Sequence, residues 1–120
     1  MSMSGPDEFR SERERLNRIV MEHADLTTKR FFSLDTKAYA PGSLDGRTKE
    51  MLGLVSSLVL RCDDCVKYHL IRCQEEGCTT PEVMEVLSIG LIVGGSIVVP
   101  HMRRAVEFWE GLCHSSGDTP

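Results

Sequence analysis

The sequence predicts an all-α protein whose five or six helices form one antiparallel, bundle-like domain. Apolar residues recur at steps of three and four positions over most of the chain. The tripeptide Thr80-Pro81-Glu82 joins a capping hydroxyl, a proline suited to the first helical position and an acid, which is typical of a helix start. No segment alternates apolar and polar residues for long enough to predict a sheet.

The N-terminal third predicts two helical segments. From Glu8 onward the apolar stripe is formed by Leu16, Ile19, Val20, His23 and Leu26. A break is expected near residues 25–28, after which the apolar surface continues through Phe31, Phe32 and Leu34. The stretch 40–46 contains proline and glycine and is predicted to be a loop.

Four further helices are expected in the rest of the chain. One should run from about position 47 to 60, and the next should open at Cys62–Cys65 and stop near Gly77. A helix over about 83–93 is apolar almost all round, so we expect it to be central. The last helix is marked by Ala105, Val106, Phe108, Trp109 and Leu112.

The length of 120 residues fits one domain, expected over residues 8–114, with a disordered leader at 1–7 and a frayed tail at 115–120. Three apolar surfaces compete for cover, which is more than one chain of this size would bury. We therefore expect a homo-oligomer. The surfaces are Phe31-Phe32, the stretch 92–99 and Phe108-Trp109.

Charge and hydropathy exclude several classes of function. The net charge of −4 gives no electrostatic case for binding nucleic acid or an anionic membrane surface. The longest apolar stretch, 86–99, is interrupted by serines and glycines and falls short of the roughly 20 residues that a membrane span needs. Residues 1–18 lack the apolar segment of a signal peptide, so a cytoplasmic location is expected.

The five cysteines are an odd number without a secretion signal, which argues against a structural disulfide framework. In a reducing compartment, a Cys-x-x-Cys pair is more often catalytic or metal-binding. Cys62 and Cys65 form such a pair. Cys73, Cys78 and Cys113 are interpreted as packing residues or exposed free thiols.

The candidate catalytic residues are Glu50, Cys62, Cys65 and His69. The two cysteines and the histidine stand at i, i+3 and i+7, which share one helix face. The helix N-terminus favours a thiolate at Cys62, and two cysteines three apart can close a disulfide. His69 is close enough to Cys65 to exchange a proton with its sulfur, and if the preceding helix packs against this one as a hairpin, Glu50 can orient His69 or share its proton.

Zinc is the competing interpretation of this pattern. Cys62 and Cys73 are 11 positions apart, about 16 Å along a helix, so one straight helix cannot supply both as ligands of one tetrahedron. A set with Glu50 in place of Cys73 stays open as the minor alternative, and no metal is predicted. Taken singly, His69 could be a core histidine and Glu50 a solvated partner of the helix dipole.

The spacing Glu50-x11-Cys62-x-x-Cys65-x3-His69 resembles the pattern of AhpD-like (alkyl hydroperoxidase D-type) proteins, a branch of the carboxymuconolactone decarboxylase family. The flanking stretch 44–50 looks similar too. The resemblance covers about residues 34–112. It implies an all-α fold and assembly as trimers or hexamers.

The resemblance also implies residue roles. Cys65 would be the peroxidatic nucleophile that becomes a sulfenic acid, and Cys62 the proton donor and resolving thiol. Glu50 and His69 would form the proton relay. Asp64 stands where AhpD itself has a further histidine, so the relay is shorter and an acid disfavours the Cys65 thiolate. This departure weakens the expectation of peroxidase activity more than that of disulfide exchange.

The leading hypothesis is a thiol–disulfide oxidoreductase with alkyl hydroperoxide reductase (peroxidase) activity, an antioxidant role. No bound cofactor is expected, since no nucleotide fingerprint is present. Electrons would come from an external thiol reductant, a thioredoxin-like or a lipoyl protein.

One alternative is a lyase acting on a carboxylated lactone, with His101, Arg103 and Arg104 as its only visible anion contacts. The other is a non-catalytic oligomeric redox or partner-binding module.

Overall fold

The computed structural model describes residues 5–117, apart from the side chain of Ser116. The described residues form six α-helices and one short 3-10 helix, Ser96–Val98, and contain no strand. This confirms the predicted all-α class. The α-helices are α1 Gly5–His23, α2 Leu26–Ala38, α3 Gly46–Val59, α4 Asp63–Glu75, α5 Thr80–Gly94 and α6 Val99–Ser116. Of the helices in this range, none has both the length and the apolar character that crossing a bilayer requires.

Both ends of the chain are more helical than predicted. Residues 5–7, expected in the leader, belong to α1, whose first turn carries Asp7 and Glu8 where the helix dipole favours acids. Residues 115–116, expected in the frayed tail, belong to α6, which ends at Gly117 with a left-handed φ of 81°. Positions 1–4 and 118–120 lie outside the described residues.

By its contacts the chain divides into two compact units, one up to Ala40 and one from Pro41. In the first unit, Asp25 caps α2 by accepting a hydrogen bond from the Thr28 amide at 2.8 Å, which produces the predicted break. No residue of α2 is buried. The exposed apolar side chains of this unit are Leu16, Ile19, Val20, Met21, Leu26, Phe31 and Leu34.

In the second unit, α3 packs against both α4 and α5, and α4 packs against α6. The side chains buried deepest between them are Leu54, Leu58, Leu70, Leu87, Leu112, Val66, Val83, Val98 and Cys73. The expectation that the helix over 83–93 is central was wrong. Only one stripe of α5 faces α3, and Ile92 on the opposite side is 83% exposed. The apolar character of α5 therefore exceeds what one copy of this chain covers.

The site depends on a close approach of α3 and α4. A Cβ atom built on Gly53 would lie 2.5–2.8 Å from three ring atoms of His69, closer than real contacts allow. The glycine therefore leaves the space in which the His69 imidazole lies against α3. The polar pair described below requires this space.

The variant Gly53→Ala should lower the free energy of unfolding by about 1–3 kcal/mol, because the added methyl collides with the His69 ring. Alanine's better helix propensity, about 1 kcal/mol, offsets part of this loss. Denaturant unfolding measures the change. In a His69→Ala background the same substitution should be neutral or stabilising, and an equal loss in both backgrounds would show that the ring is not the obstacle.

Candidate functional site

Two thiols meet at the start of α4. Cys62 is the N-cap residue of this helix, and its sulfur accepts a hydrogen bond from the Cys65 amide at 3.3 Å. The Cys62 and Cys65 sulfurs are 2.7 Å apart. Neither cysteine is in a disulfide; Cys65 is exposed and Cys62 half-buried. The two side chains therefore share one face of the helix start, as their spacing predicts.

A tight connection between α3 and α4 sets up this arrangement. Arg61 has a φ of 59°, the one positive value among the described residues other than glycine. The Cys62 amide then donates to the Ser57 carbonyl at 3.0 Å, which closes the end of α3. The left-handed residue reverses the chain within three positions and leaves Cys62 in the extended conformation that an N-cap requires.

The N-terminus of α4 stabilises a negative charge on Cys62 more than one on Cys65. The amide of Cys65 points at the Cys62 sulfur, and the positive end of the α4 dipole lies beside it, so a negative charge is best stabilised on Cys62. Cys65 follows Asp63 and Asp64 directly in the first turn. Cys65 is the thiol that solvent reaches, whereas Cys62 is the thiol that the backbone supports.

Glu50 and His69 form a buried pair across the α3–α4 hairpin. Glu50 is 2% exposed and His69 7% exposed, and His69 Nδ1 lies 2.9 Å from Glu50 Oε1. This is the contact expected if the two helices pack as a hairpin. His69 stands four positions after Cys65, about 6 Å further along the axis of α4. The order of the groups toward the start of α4 is therefore the Glu50 carboxylate with the His69 imidazole, and then the Cys65 thiol.

Sequence reasoning missed Arg72. Its Nε lies 3.5 Å from the second oxygen of Glu50, and its guanidinium also pairs with Glu75 and Glu76. The buried carboxylate therefore faces an imidazole with one oxygen and a guanidinium with the other, which compensates its charge. The signal was present in the spacing, because Arg72 stands three positions after His69 and so on the same face of α4.

A second polar cluster ties α6 to the start of α4. His101 Nδ1 lies 2.8 Å from one oxygen of Asp63, and Arg104 Nε donates to the other at 2.9 Å. Partial burial alone would raise the pKa of Asp63, but the hydrogen bonds from His101 and Arg104 outweigh it and hold that pKa below its ordinary value. Two of the three side chains named as anion contacts for a lactone are thus engaged by this carboxylate, while Arg103 is exposed.

Across residues 5–117, no three His, Cys, Asp or Glu side chains are grouped so as to hold a metal ion. A surface groove of about 510 Å³ lies along α3 and α5, lined by residues that include Arg47, Met51 and Ile89. None of the four candidate catalytic residues lines it.

Several known proteins are similar to this chain. A crystal structure of TM1620 from Thermotoga maritima superimposes with a TM-score of 0.89 and is 54% identical, covering 92% of this chain and 96% of that one. A second structure of TM1620 is described as a carboxymuconolactone decarboxylase family protein with a suggested part in antioxidative response. A family protein from Legionella pneumophila, lpg0406 in its apo form, has a TM-score of 0.75 at 26% identity, covering 88% of this chain and 96% of that one.

Sequence relatives are more distant. Uncharacterized protein 4 in the cox locus of Paracoccus denitrificans is 26% identical over 76 residues, 63% of this chain and 68% of the relative. Uncharacterized protein H16_B0147 of Cupriavidus necator is 28% identical over 71 residues, 59% of this chain and 63% of the relative. The chain thus spans about two thirds of the length of these two proteins.

The model of the carboxymuconolactone decarboxylase family matches residues 26–108. The chain therefore belongs to the carboxymuconolactone decarboxylase family.

Proposed function

We propose that this protein is a thiol–disulfide oxidoreductase of the AhpD-like type, which cycles Cys62 and Cys65 between dithiol and disulfide and reduces hydroperoxides as one of its oxidising substrates. The observation that carries the proposal is the pair of thiol sulfurs 2.7 Å apart at a helix N-terminus, one of them on an exposed residue. A pair so placed closes a disulfide with little movement of the backbone.

The peroxidase half-reaction assigns a different role to each thiol. The Cys65 thiolate attacks the hydroperoxide, the O–O bond breaks, and an alcohol and a Cys65 sulfenic acid form. Cys62 then attacks this sulfur and displaces water, which leaves the disulfide. One hydroperoxide and two thiols thus give one alcohol, one water and one disulfide. The exposure of Cys65 supports its role as the group that meets the substrate.

Glu50 and His69 are proposed as the proton relay of this reaction. Their hydrogen bond is buried, and Arg72 holds the second carboxylate oxygen, so the carboxylate stays oriented toward the imidazole. His69 in turn lies one helical turn from Cys65. Such a relay takes the proton that leaves Cys65 and returns one to the departing alkoxide.

Disulfide exchange with a partner protein draws on the same geometry. The amide of Cys65 stabilises an anion on Cys62, which favours Cys62 as the thiol that leaves and re-forms during exchange. Electrons would come from a thioredoxin-like or lipoyl dithiol, with no cofactor bound by the chain itself. Asp64 beside Cys65 disfavours the thiolate that peroxide reduction needs, so exchange is the stronger of the two activities.

We further propose a homo-oligomer, a trimer or hexamer, that works in the reducing cytoplasm. The apolar side chains that one copy leaves uncovered in the second unit support the oligomer: Leu52, Leu60, Ile89, Ile92, Val93 and Ile97. Lactone decarboxylation has less support, since Asp63 engages His101 and Arg104.

The first test removes one sulfur at a time. In an assay with an organic hydroperoxide and a small dithiol as reductant, Cys65→Ser should lose turnover to the level of the uncatalysed reaction, because Cys65 can no longer form a sulfenic acid. With the hydroperoxide alone and no reductant, Cys62→Ser should accumulate a Cys65 sulfenic acid, detected by a dimedone adduct in mass spectrometry. The control is Cys113→Ser, which alters a cysteine on α6. Turnover of Cys65→Ser at the wild-type rate would remove this thiol from the mechanism.

The second test replaces Glu50 by glutamine, which keeps the size of the side chain and removes its proton affinity. We expect peroxide turnover to fall by about 10²-fold, the lower end of what a general acid–base group contributes. Circular dichroism and the urea midpoint separate this loss from unfolding, since Arg72 loses its buried partner. An unchanged rate with an unchanged fold would exclude Glu50 from proton transfer.

The third test concerns Asp64. Asp64→His places an imidazole where AhpD has one and should raise the hydroperoxide rate, while disulfide exchange with a model disulfide changes little. Asp64→Asn is the matched control, because it removes the charge without adding a proton carrier. A higher hydroperoxide rate in both variants would assign the effect to the charge of Asp64, and a higher rate in Asp64→His alone would assign it to the proton relay. An unchanged rate in both variants would contradict the interpretation of Asp64.

A further inference from the structure

The opposite end of α4 brings a second pair of cysteines together. The Cys78 amide donates to the Cys73 carbonyl at 2.9 Å, and the Gly77 amide donates to the Gln74 carbonyl at 3.0 Å. Gly77 has a left-handed φ of 84°. These two hydrogen bonds and the glycine define a Schellman motif, which packs the side chain after the glycine against the residue five positions earlier. Here both of those side chains are cysteines.

Both side chains lie in the core. Each thiol acts on the pKa of the other, since Cys78 raises that of Cys73 and Cys73 lowers that of Cys78. Cys73 is fully buried, and Cys78 is 7% exposed. Both are in the reduced form. The Schellman turn fixes the backbone on both sides of the pair and brings the two side chains to the same side of the turn, so a disulfide can form with little rearrangement of the chain.

We propose that Cys73 and Cys78 are a second oxidisable dithiol, which a small hydroperoxide converts to a disulfide across the C-terminal turn of α4. This pair is separate from the Cys62–Cys65 pair. Cys65 and Cys73 are eight positions apart on one helix, about 12 Å along its axis, so the two pairs cannot exchange directly. The inference therefore holds or fails independently of the proposed oxidoreductase function.

The order of attack follows from access. Cys78 has the only exposed surface of the pair, so its sulfur meets the hydroperoxide first, an S–O bond forms, the O–O bond breaks, and an alcohol leaves. The Cys73 sulfur then forms the S–S bond as the S–O bond breaks, and the departing hydroxide takes the Cys73 proton as water. Two thiols and one hydroperoxide thus give one disulfide, one alcohol and one water.

The reaction should be slow compared with oxidation of the exposed pair. Burial raises the pKa of Cys73 and also that of Cys78, although Arg47 and the hydrogen bond from Cys73 lower the latter in part. Fewer thiolates are present at neutral pH, and the oxidant must reach a buried sulfur. We therefore expect the second pair to respond to sustained rather than brief exposure to hydroperoxide.

The test uses the full-length chain with Cys62→Ser and Cys65→Ser, which keeps Cys73, Cys78 and Cys113. The native protein is exposed to hydrogen peroxide, alkylated with N-ethylmaleimide and digested with glutamyl endopeptidase, which cuts after Glu75 and Glu76 between the two cysteines. We expect two of the three remaining thiols to disappear together. The peptides that carry Cys73 and Cys78 should stay joined until a reductant separates them.

Further variants make the result decisive. In Cys73→Ala or Cys78→Ala, added to the same background, the joined peptides should be absent. If the double serine variant does not fold, the wild type serves instead. Trypsin, which cuts after Lys67 and Arg72, separates the two pairs, and glutamyl endopeptidase then cuts between Cys73 and Cys78. Joined peptides only in urea, a bond from either cysteine to Cys113, or no bond in the folded protein after prolonged exposure would each overturn the proposal.

Discussion

The buried hydrogen bond between Glu50 and His69 is the constraint on which the rest of the site depends. A carboxylate taken out of water needs compensation, and the chain supplies it from two sides, with the imidazole on one oxygen and Arg72 on the other. The imidazole in turn needs room against α3, which the missing side chain of Gly53 provides. A glycine, an arginine and a tight helical hairpin are therefore all consequences of placing one acid in the core.

The helical class, the α3–α4 hairpin and two residue pairs, Cys62–Cys65 and Glu50–His69, could be predicted because each depends on local spacing. Helix faces follow from three- and four-residue steps, so Cys62, Cys65 and His69 had to share a side of α4. The contact of Glu50 with His69 needed only the assumption that consecutive helices pack against each other. The start of α5 was predicted from a threonine, a proline and an acid, but the capping hydroxyl belongs to Thr79 rather than Thr80, because it is Thr79 that accepts the hydrogen bond from the Glu82 amide.

Features that depend on tertiary packing could not be predicted in this way. The helix α5 is apolar on all sides, and sequence pattern alone does not distinguish burial inside one chain from a face left uncovered by it. Arg72 was overlooked although its spacing placed it on the same face of α4 as His69. An arginine on a helix is ordinarily solvated, and only the position of the Glu50 carboxylate gives it a buried partner. The engagement of His101 and Arg104 by Asp63 joins residues about forty positions apart, beyond any local pattern.

The sulfur of Cys62 both caps α4 and serves as the proposed resolving thiol. A thiolate on Cys62 accepts the amide hydrogen of Cys65 strongly, whereas a sulfur committed to an S–S bond carries no charge and accepts it weakly. The first turn of α4 is consequently held best in the dithiol form, and folding energy is coupled to electron uptake. In the proposed redox cycle, a protein whose reduced form is the better folded one gives up its disulfide readily, so the pair would act as an electron acceptor toward partner dithiols.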